Sequence, residues 1–117
     1  MNKEKLISAG INYDEGVHRF SGKADLYEKY LRRLFEKDAL GELREQLAGK
    51  NFETAFRLSH SLKGTTGSLS VNKLYTKICT LTDALRTEPY NYEEIKTIFD
   101  EACTLYETAK RAVEETM

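Results

Sequence analysis

The side chains able to do group-transfer or metal chemistry are few: two histidines, His18 and His60, and two cysteines, Cys79 and Cys103. The cysteines have neither a CxxC spacing nor the density of a disulfide scaffold, so they read as two small buried apolar residues. A zinc centre would need His18, His60 and both thiols to converge. His18 falls on the polar side of a short amphipathic segment and reads as a surface residue. His60 is different. With about 100° per residue along a helix, and His60 set at zero, Phe52, Ala55, Leu58, Ser59, Leu62, Thr66 and Leu69 gather at roughly 160 to 280°. That arc is the expected core face, Leu62 included, and His60 points away from it into water. Gly64 and Gly67 fall within roughly 40° of His60, one and two turns farther along. Each glycine inside a helix costs about 1 kcal/mol against alanine, so two of them on one outward stripe imply that something approaches closely there.

The charges around His60 support that chemistry. Arg57 and Lys63 lie three residues before and after it, where helical neighbours meet. Between Lys50 and Lys73 the basic residues are Lys50, Arg57, Lys63 and Lys73, opposed only by Glu53. An imidazole near neutral pH offers a ring-nitrogen lone pair that can attack phosphorus without a general base, and nearby cations would balance the phosphoryl charge. A shallow docking patch is expected from Phe56, Arg57, Gly64, Gly67 and Ser68, with Phe56 equally readable as boundary core.

The elements that must position this site are helices. Asn12 caps a short segment carrying Tyr13, Val17 and Phe20 and ending near Gly22. From about Asp25, the apolar set Leu26, Tyr30, Leu31, Leu34, Phe35, Leu40, Leu43 and Leu47 follows the 3.6 period to Gly49, with a bend expected at Gly41. Asn51 caps the helix that bears His60, which ends near Ser68 or Ser70. Val71, Leu74, Ile78, Leu81 and Leu85 repeat as three-four-three-four, the seam of an antiparallel bundle helix, and Cys79 reads as core there. After Pro89 and Asn91, Ile95, Ile98, Phe99, Ala102, Leu105, Tyr106, Ala109 and Val113 form one stripe of a last long helix. The expected fold class is all-α: an antiparallel up-down-up-down four-helix bundle with a short additional N-terminal helix, in one domain spanning residues 1–117.

Composition narrows the function classes. The 117 residues are 40% hydrophobic and 32% charged, and a mean hydropathy of -0.57 argues against a membrane span. With 18 Lys+Arg against 19 Asp+Glu, no broad basic surface exists to release counterions from a nucleic acid. The first residues lack the apolar run of a signal peptide, so a cytoplasmic location is expected, and an initiating Met1 with a one-bundle length favours a free-standing chain. No Gly-rich phosphate loop follows a strand, which speaks against an ATP-using autokinase. No surplus apolar stripe demands a dimer.

Ser59-His60-Ser61-Leu62-Lys63-Gly64, followed by Thr65-Thr66-Gly67-Ser68-Leu69, resembles the signature of histidine-containing phosphotransfer domains: small-His-x-Leu-Lys-Gly, then small residues and a leucine. The likeness extends more weakly over the whole chain. It implies a phosphorelay intermediate in which His60 accepts a phosphoryl group from a receiver-domain aspartyl phosphate and passes it to another receiver's aspartate. Lys63 would balance phosphoryl charge and Gly64 would leave room for the receiver. The implied partners are response-regulator receivers and a hybrid histidine kinase, with Mg²⁺ on the receiver and no cofactor in this chain. Two positions depart from the pattern: Ser59 stands where alanine is common, and Ser70 where glycine is frequent. The rival reading is a non-catalytic helical adaptor that binds a receiver or a partner helix.

Overall fold

The computed structural model describes residues 2–116, and among these the chain is all-helical, with no strand. Seven helices follow in order: α1 (Lys3–Ser8), α2 (Tyr13–Arg19), α3 (Ala24–Glu36), α4 (Gly41–Ala48), α5 (Phe52–Ser68), α6 (Asn72–Ala84) and α7 (Tyr92–Thr116). The α5–α6–α7 succession carries most of the interhelical packing; α4 packs on α5, α1 on α7, and α3 chiefly on α2 and α7. The buried apolar residues form a single cluster drawn from every helix except α2.

Asn12 caps as expected, whereas Asn51 stands at the N-cap of α5 without a side-chain bond to its first turn and donates instead to Gln46 Oε1 at 3.0 Å. The Asn12 side chain accepts from the Glu15 amide and the Asn91 side chain from the Glu94 amide, satisfying donors that the first turn leaves unpaired. The three-four repeat of α6 is buried throughout, from Val71 and Leu74 to Leu85. On α7, Ile95, Ile98, Phe99, Ala102, Tyr106, Ala109 and Val113 are buried, and Leu105 is half-buried.

Four expectations are corrected. The periodic run from Asp25 to Gly49 is two helices, broken over 37–40, because Lys37 turns to an extended conformation. The carbonyls freed by that break are not left unpaired: the Tyr106 hydroxyl, reaching across from α7, donates to the Lys37 carbonyl at 2.8 Å and the Leu34 carbonyl at 3.3 Å. Within α3, Leu26 and Tyr30 are exposed at 38% and 41%, while Tyr27 takes the core position. Tyr27 can be wholly buried because its hydroxyl donates to the Leu69 carbonyl at 2.8 Å, and its ring packs edge-on against Tyr13 and Phe20. Finally, Cys79 and Cys103 are half-buried free thiols rather than core residues, and α1, which buries Leu6, was not foreseen.

The end of α5 is closed around Ser70. The Ser70 amide bonds the Gly67 carbonyl and the Val71 amide the Thr66 carbonyl, the paired closure of a Schellman motif, with Ser70 left-handed at φ 55°. Glycine is the usual occupant of that position. Here the Ser70 hydroxyl donates to the Glu15 carboxylate at 2.8 Å, holding that carboxyl below its ordinary range and tying α2 to the end of α5. Both Ser70→Gly and Ser70→Ala lose this bond, but only alanine keeps the left-handed strain. Ser70→Ala should therefore unfold about 1 kcal/mol more easily than Ser70→Gly in urea. In both variants the Glu15 titration followed by NMR should move up toward an ordinary glutamate.

Candidate functional site

The buried stripe of α5 is made of small residues: Ala55, Ser59 and Thr66 are all fully buried. Small side chains let α6 approach, and the two helices are pinned where the Ser59 and Thr82 hydroxyls meet at 2.6 Å. Thr82 in turn donates to the Ile78 carbonyl, so no hydroxyl of the pair goes unsatisfied. Ser59 therefore has a structural role in joining α5 to α6. Contacts along the seam run in opposite order on the two helices: Phe56 lies under the Arg86 guanidinium, Ser59 meets Thr82, and Gly67 faces Tyr75. That register puts Lys63 at the level of Cys79.

On the outer side of this seam His60 is exposed, as its helical angle predicts. Its ring is steadied on one side by Phe56, with centroids 5.9 Å apart, and Arg86 covers the Phe56 ring at 5.4 Å. Phe56 is thus half-buried and serves as a packing shelf beside the imidazole. Lys63 is half-buried and makes no ion pair among the described residues, so its charge is not neutralised by a neighbouring carboxylate. Arg57 is committed elsewhere. It pairs with Glu53 at 3.2 Å and donates to the Thr54 hydroxyl, back toward the start of α5. Of the two cations predicted to flank His60, Lys63 is the one without an anionic partner.

The two glycines part company. A Cβ added at Gly64 would meet nothing within 4 Å, and Gly64 is exposed. A Cβ at Gly67 would come within 2.9 Å of the Tyr75 ring. Gly67 is half-buried, and its bareness serves the packing of α6 on α5. Ser68 is exposed, but on the α3 side of α5 together with Ser61 and Thr65. There a groove of about 640 Å³ opens between α3 and α5, floored by Leu34, Leu62 and Leu69.

Leu62 accordingly differs from expectation: it is half-buried, lining the groove instead of filling the core. Leu62→Ala should cost about 1 kcal/mol, nearer the value for a half-covered side chain than the 2 to 5 kcal/mol of a core truncation, measured by urea unfolding.

No group of three or more His, Cys, Asp or Glu side chains gathers to hold a metal ion among the described residues. No helix among them is long and apolar enough to cross a membrane. In comparisons with protein-family models, curated proteins and solved structures, nothing matches this chain.

Proposed function

We propose that this chain is a histidine phosphotransfer module of a two-component phosphorelay. The observation that carries the reading is the local arrangement on α5: an exposed imidazole, a lysine three residues on with no carboxylate partner among the described residues, and a bare helical surface at Gly64 where a Cβ would meet none of them within 4 Å. The motif from Ser59 to Leu69 supports it, as does the helical succession, in which α3 with α4, then α5, α6 and α7, serve as the four walls of an up-down-up-down bundle. His18 and the two thiols take no part.

In the reaction, the unprotonated ring nitrogen of His60 attacks the phosphorus of a receiver's aspartyl phosphate. A P–N bond forms as the acyl O–P bond breaks, the aspartate leaves as carboxylate, and the other ring nitrogen keeps its proton. The reverse step loads a second receiver. Such transfers pass through a loose transition state, in which positioning and charge balance do most of the work. Phe56 limits the swing of the imidazole, Lys63 offsets the added negative charge, and Gly64 lets the receiver's active-site loops come close. The Mg²⁺ that this chemistry uses belongs to the receiver. The partners are receiver domains and a hybrid histidine kinase in the cytoplasm, and the chain acts as a monomeric carrier with no autokinase activity of its own.

The test is incubation with receiver domains phosphorylated by acetyl phosphate, with Mg²⁺ present, following acid-labile, alkali-stable phosphate on this chain. Label recovered in the peptide containing His60 is the expected result. A folded chain that takes no label from any receiver of its own genome would return the function to the non-catalytic adaptor.

A further inference from the structure

A second cleft opens between α4 and α7, and neither His60, Lys63 nor Gly64 lines it. It measures about 210 Å³, and its walls are apolar: Leu47 and Ala48 from α4, with Tyr92, Ile95 and Phe99 from α7. Three cations surround these walls. Arg44 and Lys96 line the cleft, and the Lys50 ammonium lies 4.9 Å from the centre of the Tyr92 ring. None of the three makes an ion pair among the described residues, and Lys96 does not pair even with Asp100, the carboxylate one turn on that also lines the cleft. The Arg44 guanidinium lies over the Phe99 ring at 5.5 Å and donates to Cys103 Sγ at 3.5 Å, a weak acceptor for so strong a donor. Lys50 is strained. It closes α4 in the left-handed conformation, at φ 57°, its amide bonding the Leu47 carbonyl while the Asn51 amide bonds the Gln46 carbonyl. Glycine takes that conformation freely, so the stability of the fold does not account for a lysine there.

We propose that this cleft binds an acidic peptide segment, with a large apolar side chain of the peptide seated on Tyr92, Ile95 and Phe99 and its carboxylates meeting Arg44, Lys50 and Lys96. The charge pattern selects the occupant. Cations laid against aromatic rings are already oriented and lose less freedom when a carboxylate arrives, and a guanidinium whose present acceptor is a thiol gains a far stronger one without breaking an ion pair. A basic segment would be repelled by all three cations, and a bare polyanion would leave the apolar walls unused. The inference does not depend on the phosphotransfer reading. A chain held here by a partner's acidic segment keeps His60 in water and free to react.

The probe is a library of random peptides displayed on phage and selected against the full chain at low salt, the best binder then being synthesised and its affinity measured by fluorescence anisotropy. Recovered sequences should be rich in Asp and Glu around a Leu, Phe or Trp, and the amide shifts that the peptide causes should centre on Arg44, Lys50, Tyr92 and Lys96. Lys50→Glu combined with Lys96→Glu should weaken the peptide by about 10- to 100-fold, and since both side chains are exposed a circular-dichroism melt should show the fold intact. Lys50→Gly separates recognition from folding: it relieves the left-handed strain and should raise the melting temperature by about 3 °C, yet weaken the peptide by about 3- to 10-fold. His60→Gln should bind the peptide as the wild type does. The inference falls if the selection returns no peptide or peptides without acidic enrichment, or if the double variant binds within about twofold of the wild type. If phosphatidylserine vesicles bind the chain and the double variant loses them, while no peptide binds, the occupant is a membrane surface and the proposal falls as well.

Discussion

His60→Gln is expected to abolish acid-labile phosphate on the chain completely while leaving its melting temperature within about 2 °C of the wild type. The two halves of this result have separate physical grounds. Glutamine keeps a polar, helix-compatible side chain of similar reach but offers no ring lone pair to phosphorus, so the P–N bond cannot form. The hydroxyls nearest His60 on α5 are poor substitutes: Ser61 and Thr65 are exposed on the groove side, and the Thr65 hydroxyl is spent on the Ser61 carbonyl. The fold is indifferent because the His60 side chain faces water and makes no hydrogen bond or ion pair among the described residues, while its ring lies beside that of Phe56. Residual label on the variant would mean that a different side chain accepts phosphate. A fall of many degrees would mean that the imidazole supports the fold.

The position of His60 was legible because it depends on one helix only. Once α5 exists, its 3.6 period fixes which residues share a face, and the small buried stripe of Ala55, Ser59 and Thr66 lies opposite the imidazole as the angles require. The same holds for α6 and α7, whose apolar repeats are regular enough to name their buried residues. What the period cannot show is a contact supplied by another helix. Tyr27 and Tyr30 are chemically identical, and the choice of which one to bury is made by the Leu69 carbonyl, forty-two residues away in the chain. The break after Glu36 follows the same logic, since the hydroxyl that satisfies its carbonyls comes from Tyr106 on α7. Leu62 and Gly67 differ from the wheel for the same reason. One borders a groove that exists only because α3 stands off from α5, and the other is covered by a tyrosine of α6.

The two glycines beside His60, alike on the helical wheel, should respond to substitution in opposite ways. Gly64→Ala adds a methyl group into open space and gains helix propensity, so it should raise stability by about 1 kcal/mol, or about 4 °C in melting temperature. Gly64→Leu should keep most of that gain, because leucine is nearly as good a helix former, while placing a bulky side chain next to the imidazole. Transfer from a phosphorylated receiver should then fall about 100-fold, the scale of loss that follows from displacing reacting groups by about 1 Å. Gly67→Ala makes the same propensity gain but drives its Cβ to 2.9 Å from the Tyr75 ring, and overpacking of that kind costs about 1 to 3 kcal/mol. It should therefore be less stable than Gly64→Ala by about 1 to 3 kcal/mol, and combining it with Tyr75→Ala should remove most of the clash. Urea unfolding of the four variants and single-turnover transfer on Gly64→Leu together separate the roles. A Gly64→Leu chain that is more stable and still transfers at the wild-type rate would show that no partner uses the bare surface. If Gly67→Ala were as stable as Gly64→Ala, the Tyr75 ring would be free to move aside, and Gly67 would belong with Gly64 to the open face.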